Sequence, residues 1–180
     1  MKILLQKIGA RLIAVAIVVL LAACGEREAA SPPPPKPYEL GTVISFGKGG
    51  GSEAFRDGGW SETEAAFTWT LGPIARLAIP VAASARPLNL RMRLAGLIKP
   101  PEFPSQPVEV RVNGQSIATW AVVNTADFNA TIPVEIAKTG GELNIELLIP
   151  KSTSPKALGL STDPRVIGIT CAELAISAAE

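Results

Sequence analysis

The sequence predicts an all-β fold: an antiparallel β-sandwich of about nine strands. Three observations predict it. From Tyr38 onward, short apolar segments alternate with Gly, Pro, Asn and Asp punctuation, at the cadence of strands and turns. No stretch of useful length carries the apolar period of an amphipathic helix, about 3.6 residues. Leu88, Leu90, Met92 and Leu94 alternate with Asn89, Arg91 and Arg93. That is the period of a strand with one dry face and one wet face.

Taken in order, Gly41 to Phe46 reads as the first strand. Gly47 to Gly59 is a glycine-rich loop. It lacks the Gly-Lys-Ser/Thr ending and the strand-to-helix context of a phosphate loop. Glu64 to Leu71 is the next strand, with Phe67, Trp69 and Leu71 on one face, so Trp69 is expected in the core. Gly72-Pro73 makes a turn. Ala75, Leu77, Ile79 and Val81 then alternate with Arg76, Ala78 and Pro80. Lys99 to Pro107 carries four prolines and reads as a loop.

Val108 to Val112, Asn113-Gly114 and Gln115 to Val123 form a hairpin signature. Asn-Gly supplies the positive φ angles of a type I′ turn. The expected register sets Val112 opposite Gln115, Val110 opposite Ile117 and Val108 opposite Thr119. It buries Val108, Val110, Val112 and Ile117. Glu109, Arg111, Ala118 and Trp120 then lie on the outer face, near Pro107. Phe128 to Ile136 is a further strand, Gly140-Gly141 a turn, and Leu143 to Ile149 another alternating strand. Pro150 to Arg165 is a loop. In the last strand Ile167, Ile169 and Cys171 share one parity, and Leu174 and Ile176 the other. A one-residue slip near Ala172, a β-bulge, reconciles them. Cys171 then points inward as a small hydrophobe.

Ahead of the sandwich, residues 1–23 have the parts of an export signal. Lys2, Lys7 and Arg11 are basic, Leu12 to Leu21 is an unbroken apolar run, and Ala22 and Ala23 are small. The run is too short for a comfortable membrane span. Leu21-Ala22-Ala23-Cys24 resembles the lipobox of bacterial lipoproteins. The resemblance implies that the Cys24 sulfur receives a diacylglycerol. It also implies that cleavage falls before Cys24 and that a fatty acid such as palmitate acylates the new amine. A thiolate is nucleophilic enough for the thioether. Gly25 stands where Asp would retain a lipoprotein at the inner membrane. By resemblance to Gram-negative sorting this implies a lipid anchor on the periplasmic face of the outer membrane. Residues 24–37 then form a tether, since Glu26 to Pro37 holds almost nothing to bury. Its prolines favour polyproline II, rising about 3.1 Å per residue. Residues 38–180 are the sandwich domain.

Composition narrows the chemistry. The chain has no histidine, the commonest general base and metal ligand. With Cys24 acylated, Cys171 has no disulfide partner. Of 17 basic and 16 acidic residues, three basic ones fall in the signal, leaving a net charge of −2. A nucleic-acid partner is therefore not expected, nor are a metal, a cofactor or catalytic residues. Asp57 and Glu64 are the one carboxylate pair that invites comparison with a glycosidase, and the sequence fixes no separation between them.

Candidate ligand-binding residues are Trp60, Glu64, Asp57, Trp120 and Arg111. Trp60 sits in a glycine-rich loop, and an indole face stacks on the apolar C–H face of a sugar. Folding back as a lid on the sandwich end is its alternative role. Asp57 and Glu64 offer acceptors for hydroxyl groups. Trp120 and Arg111 share the outer hairpin face. Asp163 and Arg165 are assigned a structural pairing across the final turn.

Several of these segments occur together. They are Gly58-Gly59-Trp60-Ser61 with Glu64, Phe67-Thr68-Trp69-Thr70, Val110 to Gly114, Ser154-Pro155, Leu158-Gly159, Ser161 to Arg165 and Val166 to Ile169. The set resembles β-sandwich domains of unknown function appended to bacterial membrane glycosyltransferases and phosphoglycerol-type transferases. Those domains are similar to carbohydrate-binding jelly rolls. The resemblance spans about Leu40 to Ile176 and implies a jelly-roll-like fold. It also implies non-catalytic work at the cell envelope, binding or organising a glycan or glycolipid. The alternative is a protein-interaction or scaffolding module docked on an envelope export or polysaccharide biosynthesis complex.

Overall fold

A computed structural model of the chain describes residues 37–179. The expected signal peptide, the lipidated Cys24 and the tether as far as residue 36 lie outside the described residues. By its contacts the chain divides into Met1–Pro33 and Pro34–Glu180, and the described residues belong to the second unit.

That unit is a jelly-roll-like antiparallel β-sandwich of ten strands. They are β1 (Val43–Ser45), β2 (Trp60–Thr63), β3 (Thr68–Leu71), β4 (Ile74–Val81), β5 (Leu88–Gly96), β6 (Gln106–Val112), β7 (Gln115–Val122), β8 (Ala126–Ile132), β9 (Gly141–Leu148) and β10 (Ile167–Ala178). One sheet runs β2-β3-β10-β5-β8, with β1 also paired to β10, and the other runs β4-β9-β6-β7.

β10 is the axis of the larger sheet. One flank pairs with β5 from Ile169 to Ala178. The other flank is shared, β3 taking Ile167 to Cys171 and β1 taking Glu173 to Ala175. The expected bulge falls at Ala172, where the β5 register shifts between Cys171 and Glu173. It turns Cys171, Leu174 and Ile176 all inward, each fully buried. Burial holds the Cys171 thiol well above its ordinary pKa.

Inner faces of both sheets meet in one core, with Leu88 to Leu94 of β5, Val108 to Val112 of β6 and Leu143 to Leu147 of β9 contributing alternate residues. On the open side of β4, Tyr38 bridges Val81. Its hydroxyl donates to the Thr42 carbonyl and accepts from the Ile176 amide.

Three expectations are corrected. The segment expected to be one strand, Glu64 to Leu71, is two. β2 starts at Trp60, and the chain turns where the Glu64 amide donates to the Phe67 carbonyl (2.9 Å) before β3 begins. Within β3 it is Thr68 and Thr70 that face inward, not Trp69. Their hydroxyls bond to backbone, Thr68 donating to the Phe46 carbonyl (2.7 Å) and Thr70 accepting from the Ile169 amide (3.1 Å), so burial leaves neither unsatisfied. Trp69 and Phe67 instead pack edge to face, half-buried, with ring centres 5.9 Å apart.

The second correction concerns Trp120. The hairpin starts in the expected register, Val112 opposite Gln115, but Val110 pairs with Ala118 and Val108 with Trp120. Ile117 is the extra residue of a bulge, and every side chain beyond it changes face. Trp120 is therefore a core residue, 8% exposed, and not an outward indole. Its Nε1 donates to the Asn129 carbonyl of β8 (3.2 Å), and its ring meets Phe128 at 5.6 Å. It closes the side of the sandwich where β7 passes to β8. Third, the strand expected from Phe128 to Ile136 ends at Ile132. Pro133 then opens a single helical turn, α1 (Val134–Ala137).

Candidate functional site

The loop before β2 lies along the outer edge of β4. The Arg76 amide donates to Gly58 and the Asp57 amide to Arg76, both at 3.0 Å, and the Ala78 amide donates to Phe55 at 2.8 Å. Two glycines permit the close approach. Gly58 and Gly59 both have positive φ, and a Cβ on Gly59 would collide with the Ile74 carbonyl. The strap fixes Asp57 on one side and Trp60 on the other.

On the Trp60 side is a cleft of about 310 Å³ lined by Glu53, Arg56, Gly58, Trp60, Ser61 and Glu62. Trp60 is half-buried, tilted against Phe46 at 5.1 Å, with its Nε1 donating to the Arg76 carbonyl (2.8 Å). It covers that end of the sandwich. Around it, Arg56 pairs with Glu53 (3.3 Å) and bonds to Ser61 and Thr63. Glu53 also accepts from Thr63 (2.7 Å), which holds its carboxyl below the ordinary value. Most of the polar capacity of this cleft is spent on the protein itself.

Asp57 faces a different cleft, of about 500 Å³, on the outer face of the four-stranded sheet. Arg76 of β4, Glu142, Asn144 and Glu146 of β9 and Asn113 of the β6–β7 turn complete its polar lining. Alternation puts these groups outward, because Ala75, Leu77, Ile145 and Leu147 between them are buried. Asn113 is held in place, its Oδ1 accepting from the Asn144 amide (2.8 Å). Arg76 bonds to Glu146 at 3.1 Å. Among the described residues, the side chains of Asp57, Glu142 and Asn144 make no hydrogen bond and no ion pair with protein. They are free to bond a ligand.

Arg111 stands one strand further along the same row, opposite Glu146 in register. Glu109 bonds it at 2.7 Å, which lowers the Glu109 carboxyl and raises the Arg111 guanidinium. Beyond this row the face turns apolar. A groove of about 460 Å³ has Pro73, Ile74, Pro107, Leu148 and Pro150 along its sides, with Glu109 and Thr119 as its polar members.

The structure thus separates the residues that sequence reasoning grouped. Asp57 enters the polar cleft, with Arg111 beside it on the same face. Trp60 lines the neighbouring cleft, where Glu53, Arg56 and Ser61 bond within the protein. Glu64 is exposed in the β2–β3 turn, and Trp120 is in the core. Asp163 and Arg165 form a two-pronged contact, with Nη2 to Oδ2 at 2.7 Å and Nε to Oδ1 at 3.1 Å. Sequence reasoning missed Asn113, Glu142, Asn144, Glu146 and Arg76 as site residues. The polar faces of β4 and β9 were visible in the alternation, but not that these two strands pair.

The sequence matches no protein-family model and no curated protein. Solved structures match in fold. A family GH115 4-O-methyl-α-glucuronidase, with specificity for decorated arabinogalactans, aligns at TM-score 0.50 and 12% identity, over 86% of this chain and 20% of that one. The CBM36-1 domain of a multidomain xylanase, from the hindgut metagenome of Trinervitermes trinervoides, aligns at TM-score 0.45 and 13% identity, over 77% and 98% of the two chains. A CBM36 carbohydrate-binding module in complex with calcium and xylotriose aligns at TM-score 0.43 and 10% identity, over 76% and 99%. At these identities the likeness is one of fold.

Proposed function

We propose that this chain is a lipid-anchored, non-catalytic lipoprotein of the bacterial cell envelope that binds a glycan through the polar cleft of its four-stranded sheet. One observation carries the binding assignment. Asp57, Glu142 and Asn144 line an open cleft of about 500 Å³ with no protein partner among the described residues. Carboxylates and amides of this kind accept and donate to neighbouring hydroxyls, and a saccharide presents such hydroxyls in pairs. Three carboxylates against one arginine favour a neutral or amino sugar over an acidic one.

Binding without bond cleavage is supported by the separation of Asp57 from Glu64. Glu64 does not line the cleft that Asp57 lines, so the pair considered as a glycosidase constellation shares no site. The envelope location and the acyl anchor rest on the lipobox-like sequence at Cys24.

Affinity electrophoresis of residues 34–180 through gels containing envelope polysaccharides tests the binding assignment. Retardation that disappears in the Asp57→Asn, Asn144→Ala double variant is the expected result. No retardation on any neutral or aminated polysaccharide, with a single protein captured by crosslinking in the envelope, would transfer the assignment to a scaffolding module. For the anchor, incorporation of labelled palmitate is expected in the full chain and absent in Cys24→Ser.

A further inference from the structure

We propose that the outer face of the four-stranded sheet binds an amphiphile, with a saccharide head in the polar cleft and an aliphatic tail in the apolar groove beside it. The proposal rests on the assignment of the polar cleft to a saccharide.

Two adjacent strands change character at one level of the sheet, and a third follows one step later. The outward residues of β9 are Glu142, Asn144 and Glu146, then Leu148. On β4 Arg76 is followed outward by Ile74. On β6 Arg111 and Glu109 give way to Pro107. Cross-strand register aligns the change on β4 with that on β9, since Arg76 stands opposite Glu146 and Ile74 opposite Leu148, while β6 still carries Glu109 opposite Leu148 and turns apolar only at Pro107. A wet face normally keeps its polar period to the end of a strand. Here it fails on β4 and β9 together, and Pro73 and Pro150 extend the apolar surface past the strand ends. The boundary between the halves is the row Arg76, Glu146 and Arg111, one strand step of about 7 Å from Ile74 and Leu148.

The groove identifies its occupant by what it lacks. Its only polar side chains are Glu109 and Thr119. A sugar ring there would leave most of its hydroxyls without partners. Proline and branched aliphatic side chains instead offer non-directional contact, which suits methylenes. Each buried methylene tightens binding about fourfold. The carboxylates of the adjoining cleft select the head: an uncharged or aminated sugar, not a phosphate or sulfate. The occupant is therefore a glycolipid, and not an anionic phospholipid.

The test uses residues 34–180 and calorimetry with methyl and octyl β-glycosides of glucose, galactose and N-acetylglucosamine, all below their micelle thresholds. The octyl glycoside of a sugar that binds is expected to bind at least tenfold more tightly than its methyl counterpart. Ile74→Thr with Leu148→Gln should remove that gain, leave methyl glycoside affinity unchanged and keep the melting temperature within a few degrees. Equal affinities for methyl and octyl forms overturn the tail site alone. So does a gain that survives the double variant, since the tail then lies elsewhere. Octyl sulfate displacing the octyl glycoside with equal affinity overturns the choice of head. Failure of all six glycosides to bind overturns the saccharide assignment together with the tail.

Discussion

The two sheets turn their polar sides to water in different ways. On the larger sheet, Arg91, Arg93, Asp127 and Glu173 sit on three neighbouring strands and consume one another. Arg91 reaches Asp127 at 3.4 Å and Glu173 at 3.5 Å, and Arg93 reaches Asp127 at 3.5 Å. On the smaller sheet, Arg76 and Arg111 are paired, while Asp57, Glu142 and Asn144 are left without protein partners among the described residues. Both faces obey the same alternation of strand residues. Exposure and polarity alone do not distinguish a solvated surface from a recognition surface. Nor does unspent hydrogen-bonding capacity, which Asn89 and Asn129 also keep on the larger sheet; on the smaller sheet it lines a cleft beside a largely apolar groove.

The contrast depends on both sheets holding their positions, and Trp120 is where they join. Trp120→Ala is expected to cost about 3–5 kcal/mol in chemical denaturation, the range for removing a large buried aromatic. Trp120→Phe should cost less, since it gives up mainly the hydrogen bond to Asn129, worth about 1 kcal/mol. If both variants melt like the parent, the seam is not holding the sandwich closed. Next in size is the site itself. Asn144→Ala with Asp57→Asn should weaken glycan retention by at least tenfold and leave the denaturation midpoint within experimental scatter.

The matching change on the larger sheet is Arg91→Met. It frees Asp127 and Glu173 from that arginine, costs at most about 1 kcal/mol because the pairs are solvent-screened, and should leave retention untouched. Loss of glycan binding on that substitution would reverse the assignment of roles to the two faces. The smallest effect is at the loop clasp. Hydrogen bonds from the Arg165 side chain and then its amide hold the Asp163 carboxyl below its ordinary value. A lowered carboxyl stabilises the fold above the ordinary carboxylate range and loses that contribution as the pH falls through the lowered value. NMR titration of Asp163 should therefore show an acid-shifted midpoint that rises in Arg165→Ala.

What could be read in advance follows from where each decision is made. The bulge at Ala172 is written in the chain as a switch of parity between Cys171 and Leu174, so it was legible. The bulge at Ile117 leaves no such trace. Ala118 and Trp120 occupy positions that suit an outer face by composition. The balance is tipped by β8, which offers the Asn129 carbonyl and Phe128 to an inward indole. Inversion of β3 has a similar origin, because Thr68 and Thr70 are dry only when Phe46 and Ile169 supply backbone partners. At the site, Asp57 was legible as a loop carboxylate. Its relation to Glu142 and Asn144 was not, since it depends on β4 meeting β9 across 70 residues, the separation of Arg76 and Glu146.

The position of β10 in the chain has a consequence for how the molecule is made. The strand that β3, β5 and β1 all need as a neighbour comes after them in synthesis. A polypeptide leaving a ribosome or a translocation pore amino end first cannot assemble the larger layer until residues 167–178 have emerged. Up to that moment the larger layer can hold only its β2–β3 and β5–β8 pairs, and the step that joins them waits for one late segment.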